Sequence, residues 1–243
     1  MPKAEIRVFK DLEHLSHGAA EEFAGLAAQT PSGPFAAALS GGSTPKPFYE
    51  LLAAPEFSGR IPWPAVHLFQ VDERCVAPDD ARSNFRMMRE AMLDRIPGIH
   101  FHRMAAEQAD REAAAKSYET ELRATLETAP GAWPGFDVIY LGMGDDGHTA
   151  SLFPGTGALE ERRLAVCANY VPKFDMFRLT LTLPVLNAGA RVIFLVAGSK
   201  KAERLRDVLS APSTNPPKYP AQLVQPMDGT VAWYLDEAAA RLL

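Results

Sequence analysis

Cysteine is scarce in this 243-residue sequence. Cys75 and Cys167 are the only two, far apart and in no metal-ligand spacing. That excludes a disulfide framework and suits a reducing compartment. Long apolar runs are missing too. The cleanest, Val192 to Ala197, falls far short of the roughly 20 residues a membrane-crossing helix needs. The opening residues Met1-Pro-Lys-Ala-Glu-Ile-Arg7 lack the apolar core of a signal peptide, so the cytoplasm is the expected compartment. Basic charge is not in excess: 25 Lys and Arg stand against 30 Asp and Glu, a net charge of −5. This balance argues against nucleic acid as the main partner. No G-x-S-x-G nucleophile elbow is present, and the Gly-rich loop Ser40–Pro45 is neither a Walker-type phosphate loop, since the Gly-Lys-Ser/Thr ending is missing, nor a G-x-G-x-x-G fingerprint. Nor is there an internal repeat, a low-complexity tract or a composition break marking a linker. A single domain over residues 1–243 is expected, with 47% hydrophobic residues to build its core.

What is present centres on Leu141-Gly-Met-Gly-Asp-Asp-Gly-His-Thr-Ala-Ser-Leu-Phe-Pro154. The preceding Phe136 to Leu141 is a short apolar run rich in β-formers, read as a buried strand. A helix is expected afterwards, capped by Thr149 or Ser151. The glycines between permit a sharp turn and close approach of the backbone to a ligand. In open α/β sheets, ligands bind beyond the carboxyl ends of the strands. His148 and Asp146 are therefore expected at the mouth of a cleft. A carboxylate beside a histidine fixes its tautomer and stabilises its charged form, which suits general base chemistry.

The other segments follow the same grammar. Glu5 to Phe9 reads as an edge strand, and Asp11 caps a helix reaching about Gln29. Thr30 to Pro34 is a turn, and Phe35 to Leu39 a buried strand. Ser40-Gly-Gly-Ser-Thr-Pro45 then leads into a helix, a strand–loop–helix geometry that can hold a phosphate on Gly42, Ser43 and Thr44. Trp63 to Val71 is taken as a third central strand, ending in Asp72-Glu-Arg74. Charges at such a place are commonly solvated, but Arg74 also suits phosphate or carboxylate. Ser83-Asn84-Phe85 starts a helix. His100 and His102 share a face of a short extended stretch, with no third metal ligand nearby in sequence. Gln108 to Thr128 is a long amphipathic helix. Leu164 to Ala168, Phe177 to Leu183, Arg191 to Ala197, Tyr219 to Val224 and Thr230 to Leu235 are strands. Arg178 shares a face with Thr180 and Thr182. Gly198-Ser-Lys-Lys-Ala202 turns into a helix with Lys200 or Lys201 at its start. Pro212 to Pro220 is a surface loop, and Asp236 caps a final helix. The alternation predicts an α/β fold: a mostly parallel, doubly wound, Rossmann-like sheet with helices on both faces.

Read together, these motifs resemble the glucosamine-6-phosphate isomerase/6-phosphogluconolactonase family, and within it the lactonase branch. The resemblance runs from Ser40–Pro45 through Asp72–Arg74, Ser83-Asn84 and Gly142–Pro154 to Arg178–Pro184 and Gly198–Ala202. It implies hydrolysis of 6-phosphoglucono-1,5-lactone to 6-phosphogluconate, with a small phosphorylated sugar lactone as the partner. No cofactor and no metal are implied. His148 would be the general base, oriented by Asp146. Phosphate would bind at Gly42, Ser43 and Thr44 with Lys201, which directly precedes Ala202 as in the family pattern. Arg74 and Arg178 would hold phosphate or sugar oxygens. The isomerase branch continues its Asp-Gly-His turn with an Asn-Glu-Pro type sequence that supplies another carboxylate; here Ser151-Leu-Phe-Pro154 replaces it. A noncatalytic sugar-phosphate sensor is the other alternative, and the assembly expected is a monomer or small homo-oligomer.

Overall fold

A computed structural model describes residues 5–29, 33–210 and 218–243. Most of the turn expected at Thr30–Pro34 and of the loop expected at Pro212–Pro220 lies outside them.

The chain begins with strand β1 (Glu5–Phe9), helix α1 (Leu12–Gln29), β2 (Phe35–Leu39), α2 (Lys46–Leu52) and the short α3 (Pro55–Ser58). There follow β3 (Val66–Gln70), β4 (Asp72–Arg74), α4 (Asn84–Ala91), β5 (His100–His102), α5 (Arg111–Thr125) and β6 (Val138–Leu141). The chain then forms β7 (Val166–Val171), β8 (Met176–Leu181), α6 (Leu183–Leu186), β9 (Arg191–Val196), α7 (Ala202–Ser210), β10 (Thr230–Asp236) and α8 (Glu237–Ala240). Seven strands form one sheet in the order β1-β10-β9-β6-β2-β3-β5, with every pairing parallel. Parallel strands need crossover connections, and these are the helices that cover the sheet.

Each strand divides its residues between two cores. On β2, Phe35, Ala37 and Leu39 face one core with α1, α2 and α4, while Ala36 and Ala38 face the other. The same alternation places Ile193 and Leu195 on the first side and Val192, Phe194 and Val196 on the second. This period of two on a sheet buried from both sides explains why its strands read as continuous apolar runs.

β4, β8 and β7 do not join this sheet. They form a separate three-stranded antiparallel sheet, with β8 central, whose Leu179, Leu181 and Val166 pack into the second core. Asp72-Glu-Arg74 is thus a strand in its own right.

Three local expectations are corrected. Trp63-Pro-Ala65 is a 3-10 turn, so β3 starts only at Val66, and it lies beside the edge strand β5. Pro64 has no N–H to give to a strand ladder, while the Trp63 indole donates to Ser58 O at 3.0 Å. Tyr219–Val224 is no strand either: Pro220–Leu223 makes a 3-10 turn, whose Ala221 N–H donates to Gly147 O at 3.0 Å. No helix follows the Gly-rich stretch. Thr149 instead pairs with Leu152 in an isolated bridge, and Pro154 and Gly155 end any regular structure. The expected turn into a helix with lysine at its start is present: Lys200 and Lys201 lie in a 3-10 turn, Ser199–Lys201, that leads directly into α7. Among the described residues, no helix is long and apolar enough to cross a membrane.

Candidate active site

The carboxyl ends of β2, β6 and β9 open onto one side of the large sheet, and the small sheet stands over them. Between them lies a cleft of about 260 Å³. Seven of the expected residues line it: Gly42, Ser43, Thr44, Arg74, His148, Arg178 and Lys201. Asp146, the eighth, stands behind His148.

The loop after β6 is folded around its histidine. Asp146 Oδ1 lies 2.5 Å from His148 Nδ1 and also accepts the His148 backbone N–H at 3.1 Å. Gly144 N–H donates to His148 O at 2.8 Å, closing the turn. A side chain at Gly144 would force this pair apart: its Cβ would stand 2.0 Å from His148 Nδ1 and 2.9 Å from Asp146 Oδ1. Gly147 adopts φ +80°, which only glycine takes readily. The Phe153 ring stacks on the imidazole, with centroids 3.9 Å apart. Lys173 Nζ, from the turn joining β7 to β8, reaches the other Asp146 oxygen at 2.8 Å. Burial pushes the Asp146 carboxyl upward, but hydrogen bonds from His148 and Lys173 outweigh it and hold the group below the usual carboxylate range. The carboxylate fixes Nδ1 as the protonated nitrogen, which leaves Nε2 as the basic one.

The small sheet brings in charge. Asp72 is 5% exposed and Glu73 is 3% exposed, so neither is the solvated strand-end charge that the sequence suggests. Glu73 accepts from Gln70 Nε2, the N–H groups of Arg74, Asn84 and Phe85, and Ser83 Oγ, at 2.7–3.1 Å. It thereby fastens β4 to the start of α4, where a negative charge is favoured. Asp72 accepts from Ser151 Oγ at 2.6 Å and from Asn84 Nδ2 at 3.2 Å. Arg178, in the central strand β8, is 7% exposed and places its guanidinium 3.9 Å from Asp72. That guanidinium also lies over the rings of Phe153 and Phe174, at 5.2 and 4.9 Å. Burial lowers its pKa, against the opposing pull of Asp72. The third wall carries Lys201, paired with Asp145.

Buried polar side-chain atoms normally find partners. Among the described residues six do not, and four of these belong to cleft residues: Ser40 Oγ, Arg74 Nε, Asn84 Oδ1 and Arg178 Nε. Such a concentration marks a surface built to hydrogen-bond a ligand. Asp72, Asn84, Lys173 and Phe153 are the site residues that sequence reading passed over. Asn84 is read in the sequence as a helix start and as part of the family resemblance, without a role in the site, and nothing in the sequence ties Lys173 to Asp146.

His102 is hydrogen-bonded to His67 at 2.9 Å and to Glu121 at 2.6 Å. Among the described residues, the one group of three converging ligand atoms is the exposed set His17, Glu21 and Glu56, and Glu21 there is paired with Arg60. The cleft side chains offer cations and hydrogen-bonding groups, suited to a phosphorylated, hydroxyl-rich molecule.

The chain is similar to known proteins over most of its length. The family model described as glucosamine-6-phosphate isomerases/6-phosphogluconolactonase matches residues 10–233. A 6-phosphogluconolactonase of Synechocystis sp. is 46% identical over 209 residues, covering 85% of this chain and 83% of its own. One from Haemophilus influenzae is 37% identical over 207 residues, covering 84% and 86%. The solved structure of 6-phosphogluconolactonase from Trypanosoma cruzi superposes with a TM-score of 0.87 at 30% identity, covering 99% of this chain and 97% of that one. The chain belongs to the glucosamine-6-phosphate isomerase/6-phosphogluconolactonase family.

Proposed function

We propose that this protein hydrolyses 6-phospho-D-glucono-1,5-lactone to 6-phospho-D-gluconate, as one domain spanning the chain and acting in the cytoplasm. The observation that carries the reading is the His148–Asp146 pair at 2.5 Å, facing a cleft walled by Arg74, Arg178 and Lys201. His148 Nε2 takes a proton from water as the water oxygen attacks the lactone carbonyl carbon. Asp146 stabilises the imidazolium that forms. The carbonyl oxygen becomes an oxyanion, stabilised by cations and N–H groups of the cleft. As the tetrahedral intermediate collapses, the bond from C1 to the ring oxygen breaks and Nε2–H returns the proton to that oxygen. The product is the open-chain acid, which ionises in water. A lactone is already an activated acyl group, so no covalent nucleophile is needed. Ser151 is fully buried and committed to Asp72, which fits its absence from the chemistry.

The phosphate lies at Gly42, Ser43 and Thr44 with Lys201, while Arg74 and Arg178 take phosphate or sugar oxygens. Gly42 supports this use because it lines the cleft with a φ of +107°, a backbone conformation that glycine takes readily. The family's other activity, aldose–ketose isomerisation, requires a further carboxylate that the Ser151-Leu-Phe-Pro154 sequence does not supply.

Hydrolysis of freshly prepared lactone, followed in mildly acidic buffer where spontaneous opening is slow, tests the reading. Wild type is expected to run far above background, and His148→Ala to lose about 10²–10⁴-fold in kcat, the usual worth of a general base. A wild type no faster than buffer, together with turnover of glucosamine 6-phosphate, would transfer the protein to the isomerase branch.

A further inference from the structure

The hydrolytic mechanism leaves two orphaned cleft atoms unused, Ser40 Oγ and Asn84 Oδ1; the serine hydroxyl can rotate to donate or accept, whereas the amide oxygen cannot. Asn84 opens α4 and is 1% exposed. Its Nδ2 donates to Asp72 O at 2.9 Å and to Asp72 Oδ1 at 3.2 Å. Both partners are acceptors, so the amide has one permitted orientation: turned over, its oxygen would meet a carboxylate. Oδ1 is therefore fixed on the opposite side of the amide, buried and without a partner, in a residue that lines the cleft. The chain makes room for it. A Cβ on Gly41 would stand 1.8 Å from that oxygen, although nothing else about the Gly41 backbone demands glycine.

The chemistry of this atom differs from that of its neighbours. Arg74, Arg178 and Lys201 can only donate hydrogen bonds, and they suit phosphate and carbonyl oxygens. Asn84 Oδ1 can only accept. An ionised phosphate oxygen or a lactone carbonyl has no hydrogen to offer it, whereas a sugar hydroxyl does. Resting on the lactonase reading, we propose that Asn84 is a specificity-determining residue: its Oδ1 accepts a hydrogen bond from one ring hydroxyl of the bound sugar phosphate. The cleft thereby requires a donor at that ring position. Asp72 acts behind it as a positioning residue that locks the amide.

The test uses 1,5-anhydroglucitol 6-phosphate, a ring sugar phosphate with no carbonyl to hydrolyse, and its 2-, 3- and 4-deoxy and deoxyfluoro derivatives. Binding is measured by calorimetry. In wild type, one ring position is expected to lose about ten- to a hundred-fold in affinity on removal of its hydroxyl, the scale of a buried polar group left unpaired. Fluorine at that position should not restore binding, because it accepts and cannot donate. In Asn84→Ala the same penalty should fall below about threefold, since no acceptor remains to be stranded. Gly41→Ala gives a second route, displacing the Asn84 oxygen while leaving its chemistry intact, and should erase the penalty in the same way. A wild-type series that is flat at all three positions overturns the inference and leaves the lactonase reading standing. So does a penalty that persists in both variants. Failure of the parent compound to bind wild type overturns both together.

Discussion

The seven-stranded parallel sheet and the three-stranded antiparallel sheet serve the same cleft, yet different forces hold them. In the parallel sheet, β2 is buried over all five residues and packs apolar side chains on both faces. Its functional groups sit on loops beyond the strand ends, at Gly42–Thr44, His148 and Lys201. In the small sheet the functional groups are within the strands: Asp72, Arg74 and Arg178, beside the buried Glu73. One sheet is held mainly by burial of apolar surface, and the other depends on the satisfaction of buried charge. Activity and stability should therefore separate in the first and be entangled in the second.

The largest effects expected are on stability, and they test that contrast directly. Glu73→Ala removes a carboxylate with hydrogen bonds from five groups and leaves two backbone N–H groups at the start of α4 unpaired. A loss of about 3 kcal/mol or more is expected in urea unfolding. Leu39→Ala in the parallel sheet should cost about 2–5 kcal/mol by cavity formation. Glu73→Gln then separates the two mechanisms. It keeps the shape but turns one acceptor into a donor facing donors, so most of the loss should persist. A fully stable Glu73→Gln protein would mean that packing, not charge, holds the small sheet.

The same contrast explains what could be read in advance. Buried parallel strands announce themselves as apolar runs, so β2, β6 and β9 fall within a residue or two of expectation, with the Gly-rich loops that follow them. The small sheet was partly legible. β7 and β8 appear as strands in the sequence, but their separation from the main sheet depends on pairing between Asp72–Arg74 and Arg178–Thr180, more than a hundred residues apart. No local pattern carries such pairing. A three-residue strand of Asp-Glu-Arg resembles a solvated strand end because its burial depends on partners from α4, β8 and the turn at Ser151. The absent helix after His148 has a similar cause. Thr149 and Ser151 are reasonable caps in isolation, but Thr149 Oγ1 donates to Gly142 O at 2.9 Å, and Ser151 Oγ is drawn to Asp72.

On the parallel side, Gly144→Ala should harm activity far more than stability. The added methyl would overlap His148 Nδ1 and push the ring off Asp146, so kcat/KM for the lactone should fall about 10²-fold, as expected for a misplacement near 1 Å. The unfolding midpoint should barely move. Equal losses in both would remove the distinction between the sheets.

A smaller effect lies in the pH dependence of stability. The folded-state pKa of Asp146 is depressed, with burial opposing and the His148 and Lys173 contacts prevailing. A depressed carboxyl contributes stability that is fully present above its unfolded pKa, about 3.9, and is lost as pH falls through the folded value. Wild type should therefore exceed Asp146→Asn at pH 5 and above, by a margin that shrinks below about pH 4. A margin that keeps growing below about pH 4 would show that the carboxyl is not held in its charged form. The same depression keeps Asp146 ionised wherever the lactone can be assayed, so an acid limb in the rate profile belongs to another group.

The smallest perturbation probes the packing of the small sheet without any mutation. Cys167 lies on β7 opposite Thr180 and is 6% exposed. Burial, aided by the charges of Glu161 and Glu112, pushes its thiol up to about 12. At pH 8 only about one molecule in 10⁴ would carry the reactive thiolate, against roughly a quarter for a free cysteine. Cys75 is also raised, by burial, but it is partly exposed and feels the cation of Arg111. Iodoacetamide at pH 8 should therefore label Cys75 first, and Cys167 only after unfolding in urea. If Cys167 reacts as fast in the native protein as in urea, β7 separates from the core in ordinary solution. The buried charges of the small sheet would then be reached by water, and their hydrogen bonds would no longer be what holds that sheet in place.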